Sequence, residues 1–587
     1  MSETKKVKRP SFVNLRDEEI GEILKFVMSP RDVFSLIGIS QRFHQFFYSD
    51  CVYNKCPYVI FRVVRSDKIV RNYFTHISME WKDARIISEC KRLEHLDLEI
   101  TEDITNNVEL PEKLESLKLI IKEDINVIGI ENKINIHETN LTKLDISRYF
   151  FHRSIVSIIL PNKLKDLDVS CSNISNNLLH SIPNTIEILK MTKVCVDFIT
   201  LFDKLNKLTK LKNLAFSTVD DLDYDKLKYF SDKLPQGLTT LHLRYNNIGD
   251  EGIKYLSEKL PSSLTNLDLA GNNIQEVNHL SDKLPQMLRS LNLRYNKIGD
   301  RGVKNLKIPE SVTFLDLSDN HIGSEGVEYL NKKLLPMLRS LNLGDNKIGD
   351  RGAENLKIPE SVTFLDLSHN HIGARGVKKL KIPQSVTSLD LSVNDIGDRG
   401  AKKLKIPESV TILDLSHNKI GPEGAKNLKI PSSVTNLNLN DNRFGSRGAK
   451  NLKIPESVTT LDLTWNKIGA IGAKKLKIPQ SVTSLDLSYN SIGDKGAKYL
   501  SENLPQSVKF LDLGYNDITD EGVEYLMEKL PQSVRTLKLN NNRIGTIGAK
   551  NLKISQNVIT LNLMENSIAS RIHMYLRNKF PRVKFMF

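Results

Sequence analysis

The chain has 587 residues, with 84 Lys and Arg against 70 Asp and Glu, a net charge of +14 and 40% hydrophobic residues. It is long for one compact core, but a repeat array has no such ceiling, so length alone sets no domain count. No run approaches the roughly 18 apolar residues of a membrane span, and the start, with Lys5, Lys6, Lys8 and Arg9, lacks the apolar core of a secretory signal. No membrane partner is therefore expected. The cysteines Cys51, Cys56, Cys90, Cys171 and Cys195 follow no metal or redox spacing. The expectation is an intracellular protein, cytoplasmic or nuclear, with no metal site and no cofactor.

Residues 1–10 read as a basic tail, with a nuclear-import patch as the alternative. In residues 11–50, Ile20, Ile23, Leu24 and Val27 share one helical face. Asp17, Glu18 and Glu19 suit the positive end of that helix. Ser29 and Pro30 start a second helix, and Ser40 a third carrying Phe43, Phe46 and Phe47. This stretch resembles the F-box. Leu15, Glu18, Ile20, Ile23, Leu24, Phe26, Val27, Asp32, Leu36, Ile39 and Phe43 fall on the family pattern. Arg16 stands where the family has proline, Phe43 where it has tryptophan, and one extra residue precedes Asp32. The resemblance implies that Leu15, Ile20, Ile23, Leu24 and Val27 dock the adaptor subunit of a cullin-type (SCF) ubiquitin ligase. Read without it, the helices cap an apolar solenoid end.

Residues 51–92 read as a connector and N-terminal cap, with a strand over 59–64 and a helix over 81–87. Residues 93–220 form irregular repeats whose strands carry pairs such as Leu96 and Leu98, or Leu167 and Val169. Residues 221–570 are regular. Leu315, Leu317, Asn320, Ile322 and Gly323 represent a unit whose asparagine returns from Asn246 to Asn566 at intervals of about 24 or 26 residues. The leucines alternate as a strand buried on one face requires. The asparagine amide satisfies backbone groups at the bend. Gly323 and Gly326 are expected to let the chain leave that bend in conformations that a Cβ would hinder. Val327, Leu330 and Leu334 have helical spacing, and Pro336 is expected to end that helix. Units two residues shorter should keep barely one helical turn. Residues 571–587 read as a C-terminal cap.

The pattern L-x-x-L-x-L-x-x-N-x-I-G resembles leucine-rich repeats of the ribonuclease-inhibitor-like class, and the Pro-x-Ser-Val turns resemble repeat proteins of amoebae and of giant amoebal viruses. It implies an α/β solenoid: a horseshoe with a parallel concave sheet, preceded by the small F-box-like helical bundle.

No catalytic constellation emerges. His369 and His371 flank a repeat asparagine in a loop, and the glycines are periodic architecture. The chain reads as a binding protein without enzymatic activity of its own. Joined to the F-box resemblance, this gives a substrate-recognition subunit that presents an unidentified target protein on the concave face. The alternative is a scaffold or inhibitor outside any ligase. Nucleic acid is disfavoured, because the lysines sit on the outer segments and no groove interleaves basic and aromatic residues.

Two features point to the target site. The residue between the strand leucines is repeatedly acidic, as at Asp462, Asp486 and Asp512, and should form a column on the concave face. The residue before the repeat asparagine is small or polar along much of the array, then becomes Trp465, Tyr489 and Tyr515 in three successive units. Phe510 is expected to join them from the position before a strand leucine. Such a ridge either forms a binding hot spot or stacks on itself and stiffens the array.

Overall fold

The computed structural model describes residues 76–80, 93–100, 110–121, 136, 139–147, 155–156, 158–219 and 222–587. The expected basic tail and F-box-like stretch, including Leu15, Ile20, Ile23, Leu24 and Val27, lie outside the described residues, as do the strand over 59–64 and the helix over 81–87. The chain divides into two compact units, one up to Leu269 and one from Ala270.

In the first unit, parallel strands His76–Glu80, His95–Ile100 and Ser116–Ile121 lead into three-residue strands, from Lys143–Asp145 to Asn266–Asp268. The central leucines are in register from Leu96 and Leu117 through Leu144, Leu167, Leu189 and Leu214 to Leu241 and Leu267. All are buried. Stacking strands in register converts each repeat's apolar wedge into a continuous core, which a single repeat cannot form. The strand His76–Glu80 pairs with His95–Ile100, so part of the expected cap is already sheet. Phe202, Phe216 and Phe230 fill the space behind the strands, with ring centroids 5.2 to 5.9 Å apart.

The second unit repeats one plan from Ser290–Asn292 to Lys584–Met586. Leu315, Leu341, Leu365, Leu389, Leu413, Leu437, Leu461, Leu485 and Leu511 stand opposite one another on successive parallel strands. A helix follows each strand up to Thr560–Asn562. The long units carry helices such as Gly493–Asn503, of 11 residues. Most short units keep seven, as in Gly445–Asn451, and Gly397–Ala401 keeps five. The expectation of barely one turn therefore understates the short units: seven residues make about two turns. The final helix Ser570–Lys579 precedes a strand that places Phe585 opposite Leu561.

Two edges of each repeat are held by polar ladders. On one, Asn394 Oδ1 accepts the N–H groups of Asn370 (3.0 Å) and Ile372 (2.9 Å) from the preceding repeat. Its Nδ2 donates to the carbonyls of Leu367, Leu391 and Ser392 at 3.0 to 3.1 Å. On the other edge, the serine of each Pro-x-Ser-Val turn donates to the preceding repeat, as Ser385 does to the Val362 carbonyl at 2.7 Å. Backbone groups that the short strands leave unpaired are satisfied in this way.

Two expectations about turn residues need correction. Pro336 does not end a helix, since that helix stops at Leu330. The repeat prolines instead start the turn into the next strand, where the Pro359 carbonyl accepts the Val362 N–H at 3.1 Å. Gly323 has φ −99° and needs no glycine for its dihedrals, whereas Gly349, at the same repeat position, has φ +61°. The second glycine of each pair is required by close approach. A Cβ on Gly400 would lie 2.7 Å from Ile396 Cγ2 and 3.1 Å from the Ala374 backbone of the repeat before.

Candidate functional site

The open face of the second unit's sheet is built from the two strand positions that flank each buried leucine. The aspartates between the strand leucines have a structural task first. Asp486 Oδ1 accepts the Ser488 N–H at 2.9 Å and its hydroxyl at 2.7 Å; Asp462 accepts the Thr464 N–H at 2.8 Å and Asp512 the Gly514 N–H at 2.9 Å. Each closes the turn that ends its strand. Burial pushes the carboxyls of Asp316, Asp462 and Asp512 above the usual carboxylate range, and that of Asp390 up to about 6. Asp512 is buried and pairs with Lys538 Nζ at 3.0 Å. The expected acidic column exists as a register of turn-closing groups, with Asp366, Asp390 and Asp414 opposite one another on adjacent strands.

The first strand position adds a feature that reading single repeats missed. Phe314, Phe364 and Ile412 are exposed, and they alternate in register with Ser340 and Ser388. Three apolar side chains thus stand two strands apart, each on the same face as the neighbouring carboxylates. Comparing the residue before the strand leucine across repeats would have revealed them.

The column before the repeat asparagine has an unusual backbone throughout. Asp319, Asp345, His369, Val393, His417, Asp441, Trp465, Tyr489 and Tyr515 all have φ between +44° and +58°. The left-handed conformation bends the chain sharply out of the strand and leaves the side chains on the rim. There the rings of Trp465 and Tyr489 stack with centroids 4.3 Å apart and planes 15° apart; Tyr489 and Tyr515 stack at 3.9 Å and 13°. Trp465 and Tyr515 remain 51% and 40% exposed, so stacking covers faces but leaves the edges and end faces open. Phe510 does not join the stack. It sits on its strand between Ser484 and Thr536, with Lys538 Nζ 4.9 Å above its ring.

In the repeats before the stack lies a groove of about 810 Å³, lined from Asn273 to Arg443 by repeat asparagines and the residues on either side of them; its last repeat, with Asp441 and Arg443, is the one before that of Trp465. It holds His321, His369, His371 and His417 among alternating carboxylates and cations. His417 Nδ1 lies 3.0 Å from Asp441 Oδ2, and Lys419 Nζ lies 2.6 Å from Asp395 Oδ1. Burial, and then the adjacent Asp345, push the Asp319 carboxyl up. Among the described residues no group of three or more His, Cys, Asp or Glu side chains could hold a metal ion. No helix among them is long and apolar enough to cross a membrane.

A solved structure of a TLR13–ssRNA13 complex is similar over 90% of this chain and 81% of that chain, at 20% identity and a TM-score of 0.49. No curated protein matches the chain. The family described as Leucine Rich repeat matches twelve segments: 236–257, 285–307, 310–330, 335–357, 360–381, 383–405, 408–429, 431–453, 456–477, 479–501, 505–527 and 531–553. These fall on the units whose strand leucines, asparagine ladder and stacked helices have just been described, and the chain is a leucine-rich-repeat protein.

Proposed function

We propose that this chain is a protein-binding receptor whose target docks on the open strand face and along the rim that ends in Trp465, Tyr489 and Tyr515. Leucine-rich-repeat proteins mediate protein–protein interaction. The observation that carries the reading is the exposed aromatic stack at the end of a long polar groove on one continuous column of residues. Aromatic groups already fixed by stacking lose little conformational freedom when a partner covers them, and residues of this type dominate binding energy at interfaces. Phe314, Phe364 and Ile412, set beside the strand aspartates, favour a partner surface that is apolar with basic or hydrogen-bond-donating groups.

The finer reading is that of a substrate-recognition subunit of an SCF-type ligase without catalysis of its own, and the resemblance of residues 11–50 to the F-box supports it. Leu15, Ile20, Ile23, Leu24 and Val27 would engage the adaptor while the repeats hold the target near the ligase. Proximity is then the whole contribution of the chain. Two variants test the two halves separately. Ile20→Asp with Ile23→Asp abolishes recovery of the cullin adaptor with the full chain, and equal recovery from wild type and variant overturns the ligase reading. Replacing Trp465, Tyr489 and Tyr515 by alanine removes the target but not the adaptor; retention of every partner overturns the rim site.

A further inference from the structure

The helix-bearing side of the second unit carries a charge pattern that the rim site does not use. Residues 374–382, 398–406, 422–430, 446–454 and 470–478 are the outer segments of five successive repeats. Together they hold sixteen Lys and Arg against two Asp and Glu. All sixteen basic residues are exposed. Arg375 and Lys379 share Glu354, and Arg447 lies 2.7 Å from Glu423. The rest make no ion pair among the described residues. Asp398 is occupied as an acceptor for the Gly424 N–H of the next repeat. Lys378, Lys379, Lys381 and Lys405, from two adjacent repeats, line a cleft of about 530 Å³.

A face kept only for solubility mixes both signs; a large field of one sign suits attraction of an opposite charge. Here one sign dominates, sixteen to two on the five segments, and the spacing is regular. The lysine of each Leu-Lys-Ile-Pro turn recurs at Lys381, Lys405, Lys429, Lys453 and Lys477, one per repeat, so the stacked repeats form a ladder of evenly spaced cations. We propose that this wall binds the phosphodiester backbone of nucleic acid, by charge and without sequence preference. An evenly spaced ladder matches a polymer of uniform linear charge; the acidic groups of a folded protein are irregularly placed. A membrane surface would call for apolar anchors among the lysines, and Ile471 is the one exposed large apolar residue on these segments among the described residues. The segments contain no Phe, Tyr or Trp, so bases have no ring to stack on and phosphate contacts carry the binding. The sequence disfavours nucleic acid on two grounds, the place of the lysines on the outer segments and the lack of a basic–aromatic groove. Such a groove serves to grip bases, whereas backbone binding needs only unpaired cations held in a row.

The test is fluorescence anisotropy of the full chain with a labelled mixed-sequence oligonucleotide, single-stranded and duplex, across a salt series. Wild type binds both, and its log affinity falls linearly with log salt, with a slope of about 0.7 to 0.9 per phosphate neutralised. Replacing Lys381, Lys405, Lys429 and Lys453 by glutamine weakens binding at least about tenfold near 0.1 M salt and flattens the slope by about 3 to 3.5. Glutamines at Lys297, Lys347, Lys419 and Arg443 in the rim groove leave both unchanged. No binding at low salt, equal binding by the wall variant, or binding to phosphatidylserine vesicles or polyglutamate in place of nucleic acid overturns the proposal.

Discussion

The carboxylate of Asp350 caps the helix of the repeat that follows it: its Oδ1 accepts the Gly373 N–H at 2.8 Å and the Gly376 N–H at 2.7 Å. Asp350 itself sits in the first turn of the preceding helix. The N-cap that the helix Ala374–Lys379 lacks from its own residues is thus supplied by its neighbour. Asp494 likewise accepts the N–H groups of Thr519 and Gly522, at 2.7 and 3.0 Å, and adds to the cap that Thr519 gives its own helix.

Asp350→Ala should cost about 1–2 kcal/mol through the loss of that cap, and Asp350→Asn less, because it keeps an acceptor. Gly376→Ala should also destabilise, although alanine favours helix by about 1 kcal/mol over glycine. A Cβ there would lie 2.7 Å from Asp350 Oδ1 and 3.0 Å from its Cα. Thermal melts of the three variants check this, and a Gly376→Ala chain more stable than wild type contradicts it.

Asn394 joins two successive repeats through one buried amide. Asn394→Ala leaves the N–H groups of Asn370 and Ile372 and the Leu367 carbonyl without a partner, while the carbonyls of Leu391 and Ser392 keep Asn418 Nδ2 and the His369 N–H, and should cost about 2–5 kcal/mol. Asn394→Asp should be equally harmful, because its second oxygen would face the carbonyls of Leu367, Leu391 and Ser392. Chemical denaturation of both variants is the measurement. A mild effect of the aspartate would mean that the donor side of the ladder contributes little.

These contacts mark the line between what the sequence displayed and what it withheld. The ladder was legible because its asparagine recurs at a fixed period beside a bend whose backbone groups need partners. The ridge positions Trp465, Tyr489 and Tyr515 were legible as a column for the same reason. Relations between repeats were hidden. Gly349 and Gly373 occupy the same place in the pattern, yet only Gly349 has positive φ: the Gly373 N–H goes to Asp350 of the repeat before, and the Gly349 N–H to the Asn370 carbonyl of the repeat after. Phe510 reads as part of the ridge by spacing, but a strand residue and a rim residue point to different surfaces. The strand aspartates looked like a binding column; the serine or threonine two residues on shows what one oxygen of most of them is for.

Asp390 has a folded pKa of about 6 against an ordinary 3.8, chiefly through burial. A carboxyl with the higher pKa in the folded state favours folding when protonated. Its contribution is fully present below about pH 3.8 and is lost as pH rises through about 6. Asp390→Asn should therefore raise stability at pH 7 by about 1–3 kcal/mol and give little at pH 3.5. The array already uses this residue elsewhere: Asn438 accepts the Asn440 N–H at 3.0 Å and donates to Asp414 Oδ2 at 2.7 Å. Denaturation midpoints across this pH range check the claim, and a variant less stable than wild type at pH 7 contradicts it.

The phenol of Tyr489 is pushed up to about 12, first by the neighbouring Tyr515 hydroxyl and then by burial. Tyr515→Phe should bring it back toward the ordinary value near 10, while Trp465→Ala should leave it high. An NMR titration of ring-labelled tyrosine separates these outcomes. An unchanged Tyr489 in the Tyr515→Phe variant would mean that the two hydroxyls are not coupled along the stack.

The central claim, that a protein target lies along the rim beside the aromatic stack, is tested most directly by photo-crosslinking. A photoreactive side chain placed at Lys467 or Ser491, exposed positions that follow the repeat asparagines next to Trp465 and Tyr489, should yield an adduct with the same protein from both sites. The same group at Lys450 on the helix-bearing wall should not capture that protein, and adding Trp465→Ala, Tyr489→Ala and Tyr515→Ala should abolish the rim adducts. Adducts with that protein from Lys450 alone, or rim adducts unaffected by the triple substitution, would contradict the account.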